Sequence, residues 1–276
     1  PLFISVDEEG GIVSRLSDIP SIGVTKFENM ADIGEKKDYN RAYAVGSTIG
    51  KEIHELGFNL DFAPVADVIT NPNNTEIGRR AFGSNPEVVA NMVKEVVKGL
   101  QENNVSATLK HFPGHGGSEA NSHNEFSYTP QTLEGMRKTE FLPFISGIEE
   151  DVDFIMISHI SAPNVTGDNT PSSLSKTIIT DLLRKELGYE KKKKKAAQPA
   201  GLSKVIVIMC PFLSNHYYSI LVHSITERAH DYGYVTFVAP TLRNPNTEQF
   251  YLNMIQDFDA CLLYTSPSPR DSTSSR

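Results

Sequence analysis

Along the first 190 residues the apolar positions change period again and again. Continuous apolar, β-branched runs at 2–6, 58–65, 105–109 and 154–160 have the length of strands. Stripes at helical spacing separate them. Ala42, Val45, Ile49, Ile53 and Leu56 form one, closed by Gly57. Val88, Val89, Met92, Val93, Val96, Val97 and Leu100 form a second, with Pro86 suited to its first turn. Leu133, Met136, Phe141, Phe144, Ile145 and Ile148 fit a single third helix. Ile178, Ile179, Leu182, Leu183 and Leu187 fit a fourth, capped by Ser175 and ended by Gly188. Strand and helix in alternation predict an α/β fold on a parallel sheet.

The pattern then breaks and restarts. Residues 191–195 are all lysine, and 191–203 read as a Lys-rich linker. Apolar runs at 205–209, 235–238 and 260–263 alternate with two helical stretches, so 204–264 predict a compact βαβαβ unit. In its first helix Tyr218, Leu221, Val222, Ile225, Ala229 and Tyr232 share a face between Ser214 and Gly233, and 247–255 make the second. Residues 265–276 carry no packing pattern and read as a disordered tail, like a translated vector end.

Composition narrows the function classes only a little. With 276 residues, 39% hydrophobic and 22% charged, the chain suits one large globular domain or two small ones. No apolar run approaches membrane-spanning length, so no membrane partner is expected. Net charge is −8, acidic before residue 190 and basic after it. The lysine run has no recognition element beside it and reads as solvated linker, so no nucleic-acid partner is expected either. Cys210 and Cys261 sit beside strand-like runs, as buried thiols in a reducing, cytoplasmic setting. The chain opens at Pro1 with a strand already under way, so its start says nothing of a secretion signal.

The chemistry gathers where strands end. The run at 105–109 leads directly into Lys110-His111-Phe112-Pro113-Gly114-His115-Gly116. A strand ending in Lys-His and broken at Pro-Gly sets two ionisable side chains at its carboxyl edge, where parallel α/β folds bind ligands. A lone histidine there would read as an ordinary core residue. A lysine, two histidines, a proline and two glycines within seven residues read as a site. Other polar residues trail other strands. Asp7 and Arg15 flank the Glu8-Glu9-Gly10-Gly11 turn, Asp67 follows Phe62-Ala63-Pro64-Val65, Arg79-Arg80 precede Phe82-Gly83, and His159 closes the fourth run. This layout predicts a barrel's catalytic face, with the strand ends at Asp7, Asp67, Lys110 and His159 converging on one concave surface.

Six segments, VDEEGGIVSRL, LDFAPVADV, IGRRAFG, LKHFPGHGG, MISHI and PSSLS, agree in content, order and spacing with one family. Residues 1–190 resemble the N-terminal domain of glycoside hydrolase family 3, in the branch of bacterial β-N-acetylhexosaminidases. Those enzymes cleave terminal N-acetylglucosamine from muropeptides or chitooligosaccharides. The resemblance implies a TIM (β/α)8 barrel, incomplete in this chain, and a retaining mechanism through a covalent glycosyl-enzyme. Asp7, Arg15, Arg80, Lys110 and His111 would then hold the sugar hydroxyls of a small N-acetylglucosaminide, with no cofactor and no metal.

Two departures stand out. Where the family has an Asp-x-His pair for acid/base work, this chain has Asn121-Ser122-His123. An asparagine cannot stabilise an imidazolium, and the same change in the serine-protease triad costs about ten-thousandfold; Glu119 or Glu125 could compensate. The nucleophilic Asp of the family lies on the strand after the Leu187-Gly188-Tyr189 helix end, and lysines replace that strand, so the nucleophile is absent.

Residues 204–264 resemble part of the sugar-binding effector domain of LacI-type regulators, without the helix-turn-helix that precedes it there. Phe212, Ser214, Asn215 and Tyr217 match that family's ligand-contacting turn. The chain is therefore expected to be a family 3 glycosidase fragment, inactive as it stands, joined to a partial periplasmic-binding-type unit. The rival readings are a sugar-sensing regulator module and a non-catalytic carbohydrate-binding protein. Oligomeric state has no signature in the sequence.

Overall fold

A computed structural model describes residues 3–118 and 127–189, the strands at 205–210, 235–240 and 261–264, and Val222, His223, Thr226, Glu227, His230 and Thr247. The chain divides into two compact units, Ile4–Lys192 and Lys193–Arg276 with Pro1–Phe3. In the first unit β1 (Ser5–Val6) pairs in parallel with β4 (Leu60–Asp61), Val6 opposite Asp61; the hairpin β2 (Glu8–Gly10) and β3 (Val13–Ser14) lies between them in sequence. The β4 segment reaches β5 (Thr108–Phe112) through parallel bridges at Leu60–Ser106 and Val65–Lys110, and β5 pairs in parallel with β6 (Phe154–Ile157). Successive parallel strands are thus spatial neighbours in chain order, the winding of a barrel wall.

The helices return the chain between strands: α1 (Met30–Lys36), α2 (Tyr39–Glu55) and α3 (Pro86–Glu102) precede β5, and α4 (Leu133–Lys138) and α5 (Phe141–Glu149) precede β6. A short α6 (Pro163–Thr166) and a π-helix, Thr177–Glu186, follow. Four particulars depart from the sequence pattern. The expected strand at 58–65 is regular only over Leu60–Asp61, because Pro64 has no N–H to give a ladder; pairing resumes at Val65. The expected single helix over 133–148 is two. Pro143, in the first turn of α5, cannot donate to the preceding turn, and between the helices Glu140 is buried, its Oε1 accepting from the Thr70 hydroxyl at 3.0 Å. The fourth helix is wound wide, as in the Leu187 N–H donation to the Leu182 carbonyl at 2.9 Å. Ser175 caps it only weakly, its hydroxyl accepting from Ile178 N–H at 3.4 Å.

The core lies where α2 and α3 pack on the sheet, with Val45, Ile49 and Ile53 buried in one cluster with Val89, Val93, Val96 and Val97. Phe112, at the end of β5, stacks on Phe141 and meets Phe144 edge-on, so the active strand is anchored in apolar contacts from α5. Two glycines set the distance between α2 and α3. A Cβ on Gly46 would fall 2.4 Å from the Val96 carbonyl oxygen, and one on Gly99 would fall 2.5 Å from Ser47 N.

In the second unit β7 (Val205–Cys210) lies between β8 (Val235–Pro240) and β9 (Cys261–Tyr264), all parallel. A first strand flanked on both sides is the doubly wound order, not that of a barrel wall. Ile208 and Ala239 are buried, while Val235 and Phe237 on β8 are exposed. The described residues Val222, His223, Thr226, Glu227 and His230 are helical, as the stripe over 218–232 predicts, and so is Thr247. Phe212, Ser214, Asn215 and Tyr217, the lysine run and the tail lie outside the described residues. Among the described residues no helix is long and apolar enough to cross a membrane.

The helix contact gives a direct test. Gly46→Val should lower stability by about 1–3 kcal/mol through overpacking, whereas Lys51→Ala on the exposed face of α2 should change it by less than about 0.5 kcal/mol. Urea midpoints for the two variants check the contrast.

Candidate active site

Sheet register explains why these residues meet. Asp7 leaves the end of β1, Glu9 sits on β2, and the turn at Gly10-Gly11, both with positive φ, folds β3 back against it. On β5, Lys110 lies level with Val65. Its side chain is 3% exposed, and its ammonium reaches Asp7 Oδ1 at 2.7 Å and Glu9 Oε1 at 2.5 Å. Arg80 arrives on a short 3-10 turn, Gly78–Arg80, and grips Glu9 in two places: Nε donates to Oε2 at 3.0 Å and Nη2 to Oε1 at 2.8 Å. Two cations and two carboxylates balance in a dry space, which is the condition for burying either sign.

The electrostatics follow from that balance. Burial alone would push the Glu9 carboxyl up, but Lys110 and Arg80 outweigh it and hold it at about 2. Burial works against the charged Lys110 as well, and Glu9 with Asp7 overcomes it, raising its pKa. Arg80 is likewise raised, burial being outweighed by Glu9. All three are ionised at neutral pH.

A second cluster adjoins the first through the next residue of β5. His111 Nδ1 lies 2.6 Å from Asp67 Oδ2, and Asp67 Oδ1 accepts the backbone N–H of His115 at 2.7 Å. Asp67 is fully buried, which raises a carboxyl, but His111 outweighs that and its pKa is lowered. His115 Nδ1 lies 2.8 Å from the Ser118 hydroxyl; burial, then the neighbouring His111, lowers its pKa, so it is neutral. Asn74 ties the loop down, its amide donating to the carbonyls of His115 (2.8 Å) and Ser118 (3.0 Å). The Asp67 contact at Nδ1 fixes the orientation of the His111 ring.

The strand-end expectation therefore holds for Asp7, Asp67, Lys110 and His111, which lie on one edge with Arg80. His159 follows β6, whose end pairs in parallel with that of β5 at Phe112–Ile157, so it belongs to the same strand edge; it is exposed and its Nδ1 lies 2.8 Å from the Ser173 hydroxyl. Arg15 gives its backbone N–H to Glu8 Oε2 at 2.7 Å, and its side chain makes no hydrogen bond among the described residues. Of the arginine pair, Arg79 turns outward to an ion pair with Asp32, and only Arg80 faces the cluster. Asn121, His123, Glu119 and Glu125 lie outside the described residues. Sequence reasoning passed over Glu9, the hub of the ion pairs. Both acids of the Glu8-Glu9 pair are in fact buried, and no local pattern in the sequence marks Glu9 as the one that meets Lys110 and Arg80.

Comparison with known proteins settles the ancestry. The model of the glycosyl hydrolase family 3 N-terminal domain matches residues 1–191. The chain belongs to glycosyl hydrolase family 3. A beta-hexosaminidase A of Pseudoalteromonas piscicida is 36% identical over 201 residues, 69% of this chain and 34% of that one. The beta-hexosaminidase LpqI of Mycobacterium tuberculosis is 36% identical over 189 residues, 68% of this chain and 47% of that protein. This family 3 chain thus spans about half or less of these relatives. Among solved structures, a family 3 beta-N-acetylglucosaminidase from Paenibacillus sp. superposes with a TM-score of 0.69 at 31% identity, covering 98% of this chain and 53% of that one. NagZ from Neisseria gonorrhoeae in complex with N-trifluoroacetyl-D-glucosamine gives 0.67 at 25%, covering 98% and 71%. These likenesses support an α/β fold of TIM-barrel type for the family 3 domain.

Glu9 should dominate the acid limb of stability. Its folded pKa lies below the ordinary 4.5, so its contribution is complete above that pH and is lost as pH falls toward about 2. The shift corresponds to about 3 kcal/mol. Glu9→Gln, which leaves two buried cations short of a partner, should cost about 3–5 kcal/mol at neutral pH and flatten the acid limb. Urea unfolding across that pH range checks it; an acid limb as steep as the parent's would remove Glu9 from the role.

Proposed function

We propose that this chain carries the sugar clamp of a retaining β-N-acetylhexosaminidase and binds terminal N-acetylglucosaminides without cleaving them. The observation that carries the reading is the Lys110 ion pair. Its ammonium is buried, yet its partner Asp7 is 27% exposed, so the charged pair opens toward solvent on one side. A carboxylate held by a lysine presents fixed acceptors and donors to neighbouring hydroxyls, the chemistry a pyranose ring requires. Arg80 and His111, each mostly buried and each gripped by a carboxylate, flank it, and Arg15 completes the proposed set. The identities to named beta-hexosaminidases favour N-acetylglucosamine over other sugars. The expected substrate is a peptidoglycan fragment or chitooligosaccharide, handled in the cytoplasm without cofactor or metal.

Turnover is a separate matter. Retaining hydrolysis needs a carboxylate to attack the anomeric carbon and a proton for the leaving oxygen. His123 is the proposed proton donor, backed by Asn121 where the family has Asp. The lysines at 191–195 stand where the nucleophile's strand belongs. Residues 204–264 are proposed to be a LacI-type effector fragment, a reading favoured by the doubly wound order β8-β7-β9. Residues 265–276 are proposed to be an artefactual tail.

Titration calorimetry with N-acetylglucosamine tests the binding half. The parent should bind weakly, and Lys110→Ala should weaken binding by about 1.5–3 kcal/mol through loss of a charge-assisted hydrogen bond. Equal affinity in both would take Lys110 out of the sugar site. A chromogenic β-N-acetylglucosaminide tests the other half: the purified chain should release no chromophore. Restoring the family's strand and Asp after Tyr189, with the rest of the barrel, should start turnover, and Asn121→Asp should raise it further. Saturable release by the parent chain would show that a nucleophile is present after all.

A further inference from the structure

Asp61 is a carboxylate that the clamp does not touch and that the strand does not need. It lies inside an apolar run, on β4, with no exposed surface. Its side chain turns toward the segment that leaves β1: Oδ1 accepts the backbone N–H of Glu8 at 3.0 Å. The residue just after β4 continues the same grip, since Phe62 N–H donates to the Val6 carbonyl at 2.9 Å. Asp7 is therefore bracketed. The residue before it is held by the ladder, and the residue after it by the Asp61 carboxyl.

We propose that Asp61 is a positioning residue for the clamp, fixing the backbone that carries Asp7 and Glu9 to Lys110. The proposal rests on the reading of the clamp as a sugar site and adds to it the group that sets the clamp's geometry. Glu8 is fastened in turn at its other end, its Oε2 accepting from Arg15 N–H and Leu16 N–H at 2.7 and 2.8 Å. The chain from Val6 to Leu16 thus has a tie on each side of the two clamp carboxylates.

The charged form of Asp61 would be out of place. Burial raises its pKa well above the ordinary value, against the pull of the Glu8 N–H and of Lys110, with Asp7 and Glu8 adding repulsion. Lys110 faces it from β5, and Asp7 and Glu8 face it from the β1–β2 segment. Its Oδ2 is buried with no hydrogen-bond partner among the described residues, and so is Glu8 Oε1. A proton on Asp61 removes a bare negative charge and leaves Oδ1 free to accept from Glu8. Ionisation would instead set a third carboxylate competing with Asp7 and Glu9 for Lys110. The clamp should then loosen as pH rises through the Asp61 transition, the direction set by a raised folded pKa.

Asparagine reproduces the neutral acid: it keeps the Oδ1 acceptor and cannot ionise. Two variants of the full chain, Asp61→Asn and Asp61→Ala, are compared with the parent. N-acetylglucosamine affinity is measured by calorimetry from about pH 5 to about pH 9, with the ¹⁵N signal of the Lys110 ammonium, assigned through Lys110→Arg, as a second readout. The parent should lose affinity as pH rises through the Asp61 transition. Asp61→Asn should match the parent at low pH and stay level. Asp61→Ala should lose at least about tenfold throughout and lose the slowly exchanging ammonium signal. Parent-like pH dependence in Asp61→Asn, or an unchanged ammonium signal in a folded Asp61→Ala, would overturn the proposal. If Asp61→Ala fails to fold, the Asp61→Asn profile decides alone. A parent that binds no sugar overturns the clamp reading instead, and the pH dependence of the ammonium signal in parent and Asp61→Asn still decides the role of Asp61.

Discussion

A buried ammonium is the constraint from which the rest of this site follows. Lys110 is nearly without solvent, and an unpaired cation in such a place would be neutralised or expelled. Glu9 and Asp7 keep it charged. Glu9 is itself inside, and one cation is not enough for a carboxylate shared between two partners, so Arg80 holds both its oxygens. Each charge is thus present because another is. Such a set is stabilising only as a whole, since removal of one member strands the others in low dielectric. That interdependence also fixes geometry: carboxylates that serve buried cations cannot swing, and a polar ligand meets groups already in place.

Much of the fold could be read from periodicity. The helices at 39–55 and 86–102 match their apolar stripes to within a few residues, because both bury one face against the sheet and have clear stops. The split between α4 and α5 was hidden because Leu133, Met136, Phe141 and Phe144 keep helical spacing across the break. A proline that withholds one N–H, and a glutamate buried against Thr70, outrank the stripe. For the site, Lys110, His111, Asp67, Asp7 and Arg80 were legible as polar residues trailing strands. Glu9 and Asp61 were not. Glu9 hid in an acidic, glycine-rich turn, and Asp61 in a run whose apolar neighbours define the strand. Which way each faces depends on strand pairing, β1 against β4 for Asp61 and the irregular β2–β3 hairpin for Glu9, a property that no local composition carries.

The two units wind their sheets in different ways, and this bears on what each can do. In the first, β1, β4, β5 and β6 follow one another, so every strand end adds to a common edge and a site can be assembled from several of them. In the second, β7 is central with β8 and β9 on either side, and the edge where such a sheet binds ligands lies where the winding reverses. The family 3 ancestry belongs to residues 1–191, and the chemistry proposed for it must come from there.

Within the proposal, holding a sugar and breaking its bond are assigned to different residues. The proposed clamp is drawn from Asp7, Arg15, Arg80, Lys110 and His111, whose positions depend on strands that pair with one another and on ion pairs closed among themselves. The groups proposed for bond cleavage are others: His123 as proton donor, and the carboxylate that the family places on a strand beyond Tyr189. Lys110, Glu9, Asp7 and Asp67 are held by one another and by Arg80 and His111, all within residues 7–111. The forces that preorganise the proposed clamp are therefore internal to it.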